Sequence, residues 1–151
     1  MAFPLPPPMR LALDLAAEAA RAGEVPVGAV ITRGSEVIAS AANHMLSGTD
    51  PTAHAEIQVI RAAAAKLGSQ RLIECDLWVT LEPCAMCAGA ISHARIARLY
   101  YAADDPKGGA VANGARFFGQ PTCHHRPEVY GGIGEGEAGV QLRDFFAARR
   151  S

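Results

Sequence analysis

The amino-acid sequence predicts an α/β protein of three layers, with a single mixed sheet of about five strands and helices on both faces. An Ala/Leu-rich segment suited to a helix comes early, a strand hairpin follows it, and helices then alternate with strands. The predicted order is α-β-β-α-β-α-β-β-α, with a short last strand. Helices and strands in such an order bury their apolar sides by packing as layers, with the helices on both faces of the sheet.

The first predicted elements are a helix and a hairpin. Residues 9–22 are rich in Ala and Leu with charged residues interleaved, and Gly23 ends this helix. Residues 27–31 form an apolar run typical of a buried strand. A turn at Gly34 leads into a return strand over 36–39, which completes the hairpin.

A polar loop and a second helix come next. Residues 43–52 include Gly48 and Pro51 and are predicted to form the loop. The helix is expected over 53–67, ending at Gly68. Either Thr52 or Asp50 is expected to cap its first turn, because both residue types favour that position.

The second half is predicted to alternate strand and helix. Its strands are expected at 77–81, 96–102 and 128–130, and its helices at 83–94 and 135–150. Pro83 would stand at the first position of its helix, where proline is favoured. Residues 104–127 contain several glycines and prolines and are expected to be irregular.

The composition is that of an ordinary globular protein. The 151 residues are expected to form one domain, 1–151, in which 1–8 is an extended proline-rich arm. A net charge of −1 does not indicate non-specific nucleic-acid binding. No apolar run approaches the roughly 18 residues that span a membrane. Reduced cysteines in a cytoplasmic protein are expected, since two of the four form a C-x-x-C pair.

The most informative pattern is a histidine at one predicted helix start and two cysteines at another. Residues three apart on a helix share a face, and a helix N-terminus favours thiolate. Catalytic zinc takes three nitrogen or sulfur ligands and leaves a fourth position for water, whose pKa it can lower to about 7. The sequence therefore predicts one Zn²⁺ per chain, held by His54, Cys84 and Cys87.

Glu56 is predicted to carry protons beside this metal. It lies two residues beyond His54, about 200° around the helix at about 100° per residue, so it can approach the bound water without binding zinc. A carboxylate there would take the proton of the water and pass it to the reacting substrate. The Ala55 backbone N–H, at the helix start, is expected to be free to donate into the site.

The cysteine pair has two simpler interpretations, both less favoured. One is a core or redox pair, which would need neither His54 nor Glu56. The other is a structural zinc site, which usually closes with a fourth Cys or His.

Several segments resemble the bacterial tRNA-specific adenosine deaminase family of the cytidine deaminase-like superfamily. The zinc nucleobase deaminases share the pattern H-x-E and P-C-x-x-C. The wider match lies in 25–30, 50–56, 80–90, 95–96, 105–110 and 144–150. The resemblance implies a homodimer that uses zinc-bound hydroxide, with Glu56 as proton shuttle, to convert adenosine to inosine at the wobble position (34) in the anticodon loop of tRNA.

The resemblance also implies where the RNA binds. Asn43 would contact the flipped nucleoside, and Asp105 and Lys107 would lie on the nucleic-acid side. Because the overall charge supplies no affinity, a local patch must bind phosphates. The candidates for it are Lys107, Arg126, Arg149 and Arg150.

Other residues leave alternatives open. Cys123, His124 and His125 fit a second metal site or a solvated loop, and His124 also fits an RNA contact. Of the neighbours Phe145 and Phe146, one is expected in the core, while the other could stack on a base. Cys75 is expected in the core, His93 in a structural or surface role, and His44 either at the surface or against substrate.

Two other functions compete with tRNA deamination. The same zinc chemistry would serve a deaminase of free guanine or cytosine, because the pocket wall decides the substrate. A non-catalytic, zinc-stabilised RNA-binding module is less favoured, since it would gain nothing from Glu56 beside the metal.

Overall fold

The computed structural model describes residues 4–150, except for the side chain of Arg150. Within this range the chain forms four α-helices, five strands and one short 3₁₀ turn. In chain order they are α1 (Pro7–Arg21), β1 (Gly28–Arg33), β2 (Glu36–Ala42), α2 (Ala55–Leu67), β3 (Asp76–Leu81), α3 (Ala85–Ala94), β4 (Arg98–Ala103), the 3₁₀ turn (Phe117–Gly119), β5 (Glu128–Tyr130) and α4 (Glu135–Arg150).

The strands make one mixed sheet in the order β2-β1-β3-β4-β5. Strand β1 is antiparallel to both β2 and β3, whereas β3, β4 and β5 run parallel. The parallel strands β3 and β4 therefore end at the same edge of the sheet, and α3 follows β3 directly. The predicted fold class and element order are confirmed.

Helices cover both faces of the sheet. On one face, Met9 and Leu13 of α1 and Ala138 of α4 pack against Val30 of β1 and Ala102 of β4. On the other face α2 and α3 pack over a larger core, whose central side chains are Val59, Leu77, Val79, Ile91 and Leu99. Gly28 allows α1 to lie close to β1, because a Cβ there would come within 2.0 Å of the Ala12 carbonyl oxygen.

Three of the four predicted helix starts are wrong by two residues, and each shift has a physical reason. Helix α1 begins at Pro7, because the first turn of a helix needs no donor from proline. The predicted arm over 1–8 is therefore shorter, and residues 1–3 lie outside the described part. Asp50 and Thr52 hydrogen-bond to each other and not to α2, which begins at Ala55.

Helix α3, like α2, begins two residues later than predicted. Pro83 precedes the helix, so it is not the first helical residue, and Cys84 takes the capping position. As a result, both helices at the predicted metal site begin directly after a candidate ligand. No helix in residues 4–150 has the length and apolar character to cross a membrane.

Candidate metal centre and its cavity

His54, Cys84 and Cys87 lie together where α2 and α3 begin. His54 Nδ1 is 3.6 Å from Cys84 Sγ and 3.5 Å from Cys87 Sγ. Their ligand atoms all lie within 4.8 Å of one another, and this is the only such group of His, Cys or acidic side chains among the described residues. Tetrahedral zinc with bonds of about 2.05 Å to nitrogen and 2.3 Å to sulfur separates those atoms by about 3.6 Å. The three donors therefore fit a zinc ion in both chemistry and spacing.

The two thiols differ in acidity. A hydrogen bond from Cys87 is the main reason why the pKa of Cys84 falls to about 5. The same hydrogen bond, together with burial, raises the pKa of Cys87. Without a metal, the pair therefore shares one proton, which stays on Cys87. Since a metal ligand must be thiolate, cation binding would displace the Cys87 proton.

Glu56 is buried beside these ligands. Only 4% of its surface is exposed. Burial disfavours the charged carboxylate and raises the pKa of Glu56 to about 7. An acid with a pKa near 7 can both accept and return a proton at neutral pH.

A cavity of about 240 Å³ opens onto the candidate ligands. Its apolar walls include Val25, Val27 and Leu81, and its polar lining includes Asn43 and Asp105. The volume is below the roughly 300–1,000 Å³ of sites for drug-sized ligands. The space therefore suits a single flat ring better than a whole nucleotide.

Asn43 caps α2 from a distance. Its Oδ1 accepts a hydrogen bond from the Ala55 N–H at 3.0 Å. The prediction that the Ala55 N–H would be free to donate into the site is therefore wrong. The amide nitrogen of Asn43, which lines the cavity, has no hydrogen-bond partner in the described part of the chain.

Glu82 is a buried carboxylate in the cavity lining to which sequence analysis assigns no role. Its Oε1 accepts from the Asp105 N–H at 3.0 Å and from Asn113 Nδ2 at 2.7 Å. Its Oε2 accepts from the N–H groups of Val111, Ala112 and Asn113 at 2.9–3.0 Å. Although burial opposes ionisation, these hydrogen bonds hold the pKa of Glu82 below its usual value. Glu82 thus ties the loop after β4 to the chain just before the cysteines.

Glu24 orders a second loop next to the cavity in the same way. It is buried and accepts hydrogen bonds from the Leu46 N–H at 3.1 Å and from the Ser47 N–H and hydroxyl, both at 2.8 Å. Burial opposes its ionisation, yet these bonds lower the pKa of Glu24. The loop that it orders carries Met45, which lines the cavity.

Replacing Glu82 with glutamine is expected to loosen the loop over 105–113. An amide NH₂ would face N–H donors in place of a carboxylate oxygen, at a cost of about 1–3 kcal/mol. We expect a lower free energy of unfolding, with unchanged metal content.

The matched control is Glu128→Gln, which removes the same charge from an exposed ion pair with Arg98. The lowered pKa of Glu82 means that its carboxylate stabilises the fold above about pH 4.3 and loses this effect as the pH falls. Denaturation curves should therefore separate the Glu82 variant from wild type at pH 7 and converge in acid. Identical curves at pH 7 would contradict the role of Glu82.

Among the residues predicted to bind RNA, only Asp105 and Lys107 hydrogen-bond to each other in the described structure. Asp105 lines the cavity and shapes its own turn, accepting hydrogen bonds from the N–H groups of exposed Lys107 and Gly108 at 3.2 and 3.0 Å. Arg149 lies on α4, stacked 3.5 Å from the centre of the Phe145 ring. Arg126 donates to the carbonyl oxygens of Phe118 and Gln120. The predicted contact of Arg150 lies outside the described side chains.

The residues left open have structural or surface positions. Cys123 is buried and hydrogen-bonds to the His125 carbonyl oxygen, so it is a core residue and not a metal ligand. His125 Nε2 lies 2.7 Å from the carbonyl oxygen of Ile96. Cys75 is in the core, as predicted. Exposed His44 hydrogen-bonds to Ser47.

The pair of phenylalanines on α4 divides as predicted. Phe145 is buried, and 43% of the surface of Phe146 is exposed. Phe146 is not among the residues that line the cavity.

Comparison with known proteins gives consistent matches. The model of the MafB19-like deaminase family matches residues 7–133. The tRNA-specific adenosine deaminase of Agrobacterium fabrum is 57% identical over 142 residues, which cover 94% of this chain and 93% of that protein. A structure from a study of A-to-I editing by tRNA:A34 deaminases at the wobble position is 57% identical, with a TM-score of 0.88 over 89% of this chain and 98% of that one.

A guanine deaminase is also similar. The structure of the enzyme from Bacillus subtilis is 34% identical, with a TM-score of 0.64, and the match covers 95% of this chain and 92% of that one.

Proposed function

Because the chain belongs to the family of bacterial tRNA-specific adenosine deaminases, we propose that it hydrolyses adenosine at the wobble position (34) of tRNA, giving inosine and ammonia. The observation that supports this most directly is the group of His54, Cys84 and Cys87 next to buried Glu56, at a cavity lined by Glu56, His54 and Cys84. Glu56 is the proton carrier, and His54, Cys84 and Cys87 supply the donor atoms for one zinc ion.

The catalytic role of each group follows from these positions. Zinc held by the three donors would act as a Lewis acid and lower the pKa of water. Glu56 accepts a proton as the water oxygen bonds to C6 of the adenine ring, and it gives this proton to a ring nitrogen. It then carries the second proton to the departing amino group, so that ammonia leaves and the ring keeps a carbonyl oxygen.

Substrate positioning is assigned to the cavity walls. A base inside a helix could not reach Glu56, so the adenosine must leave its stack, which is easiest in an unpaired loop. Val27 and Leu81 would contact the faces of the ring, and the amide nitrogen of Asn43 would donate to the substrate. Asp105 and Lys107 would lie against the flanking nucleotides.

Deamination of free guanine is the second candidate function, supported by the similarity to the Bacillus subtilis guanine deaminase. An assay with an anticodon stem-loop carrying a wobble adenosine, and in parallel with guanine, cytosine and cytidine, separates the two. We expect inosine from the stem-loop and no product from the free compounds. Turnover of guanine alone would overturn the assignment to tRNA.

The protein is further proposed to be a cytoplasmic homodimer. All four cysteines are free in the described structure, as a thiolate metal site requires. The first half of α3 presents small or exposed residues, with Met86 38% exposed and Gly89 partly exposed, which allows a second copy to approach closely. Light scattering at micromolar concentration should therefore give the mass of two chains. The mass of one chain would contradict the dimer.

A further inference from the structure

A basic groove runs between α2 and the end of α3, away from the catalytic cavity. It encloses about 550 Å³, and its lining includes Arg61, Arg71, His93 and Arg95. The floor is built from small or apolar residues such as Ile60 and Ala94, and no acidic side chain belongs to the described lining. In a chain with 14 basic and 15 acidic residues, this is a local excess of positive charge.

The three arginines of the basic groove have neither an ion-pair partner nor a hydrogen-bond partner among the described residues. Within residues 4–150, the side chains of Arg61, Arg71 and Arg95 make no ion pair and no hydrogen bond. By contrast, Arg98, three residues after Arg95, forms ion pairs with Asp76 and Glu128. Arg61 is close enough to Asp50 for an electrostatic interaction, whereas Arg71 and Arg95 have no such acidic neighbour among the described residues. The groove therefore offers guanidinium donors without a hydrogen-bonded protein partner to one anionic ligand.

The backbone at Arg95 is unusual. Helices α2 and α3 both end in the left-handed conformation, at Gly68 with φ 65° and at Arg95 with φ 64°. Glycine is favoured at such a position because a Cβ atom is crowded there. An arginine therefore stands at a position where the backbone conformation favours glycine. This indicates that the Arg95 side chain has a function.

The basic groove continues toward a neighbouring cleft. His93 and Arg95 also line this cleft of about 230 Å³, together with Thr122 and His124. At the other end, Arg61 lies seven residues after His54, about 10 Å along the helix axis. Positive charge therefore begins about two helical turns from the metal ligands.

We propose that the basic groove binds backbone phosphates of the tRNA outside the anticodon loop while the wobble base occupies the cavity. This inference depends on the proposed function. A polyanion is the occupant that charge complementarity favours, since guanidinium groups pair well with phosphates. A second copy packed groove against groove would bring three arginines against three others, so this face is a poor one for self-association.

The test measures deamination of two RNAs by the zinc-loaded enzyme. One is full-length tRNA with a wobble adenosine, and the other is a short single strand with the loop sequence alone. The variants are Arg61→Gln with Arg71→Gln, and Arg95→Gly. The charge-matched control is Arg21→Gln with Arg143→Gln, which changes two exposed arginines outside the groove.

The groove variants are expected to lower kcat/KM on full-length tRNA about tenfold at physiological salt. The salt dependence should flatten by about 0.7–0.9 log units per log unit of salt for each lost phosphate contact. Turnover of the short strand should stay at the wild-type level. Arg95→Gly should keep or raise the melting temperature, because glycine suits the backbone there, and Arg95→Lys should retain tRNA activity.

Three outcomes would overturn the proposal. Unchanged kcat/KM on full-length tRNA would show that no phosphate binds in the groove. An equal loss on both RNAs would show that the arginines act through the fold. A lower mass of the groove variants in light scattering would make the groove an interface between copies. In each case the wild-type enzyme still converts the wobble adenosine, whereas failure of the proposed function would leave it inactive on both RNAs.

Discussion

Replacing Glu56 with glutamine is expected to abolish deamination and leave the metal in place. The side chain is buried and its pKa is raised to about 7, so it is suited to both halves of a proton transfer. Glutamine keeps the shape but cannot accept the proton. A positioned acid–base group contributes roughly 10²–10⁴-fold to rate, and Glu56 serves more than one transfer. We therefore expect turnover to fall at least a hundredfold.

The measurement is single-turnover conversion of the stem-loop, with metal content and circular dichroism on the same samples. Glu128→Gln serves as a matched control, because it makes the same substitution at an exposed position on β5. More than a tenth of wild-type turnover in Glu56→Gln would remove Glu56 from the mechanism. Loss of metal in that variant would assign it a ligand role instead.

Replacing Cys87 with alanine is expected to remove both the metal and the activity. Cys87 Sγ lies 3.5 Å from His54 Nδ1 and is fully buried, so no other side chain can take its place without moving the start of α3. Two remaining donors bind zinc far more weakly than three. Metal analysis should give one zinc per wild-type chain and a small fraction of that in Cys87→Ala.

Cys75→Ala is the matched control, since Cys75 is a free, buried cysteine in the core and outside the metal group. It should keep its full zinc content. X-ray absorption of the wild-type protein should show sulfur at about 2.3 Å and nitrogen at about 2.0–2.1 Å. Undiminished zinc in Cys87→Ala would contradict the assignment of the three ligands.

Local signals explain what could be predicted from the sequence. The bounds of β5 and α4 agree with the expected 128–130 and 135–150, because glycines and apolar spacing mark them within a few residues. The three candidate metal ligands could also be predicted, since residue type and the spacing of Cys84 and Cys87 are local properties of the sequence. The fold class followed from element order alone.

Long-range hydrogen bonds explain what could not be predicted. Asn43 caps α2 across twelve positions, so a local search favoured Asp50 and Thr52 instead. Glu24 and Glu82 bind backbone N–H groups 22–31 positions away, and no sequence pattern distinguishes them from exposed acids. The basic groove could not be predicted for the same reason, because Arg61 and Arg95 come together only when α2 and α3 pack side by side.

The most direct test of the assignment is sequencing of a full-length tRNA after incubation with the zinc-loaded protein. Inosine pairs with cytidine, so reverse transcription reads it as guanosine. The proposed function predicts an adenosine-to-guanosine change at the wobble position alone, with no change at other adenosines of the same tRNA and none with Glu56→Gln. Wobble adenosine that stays unchanged while free guanine is converted would contradict it.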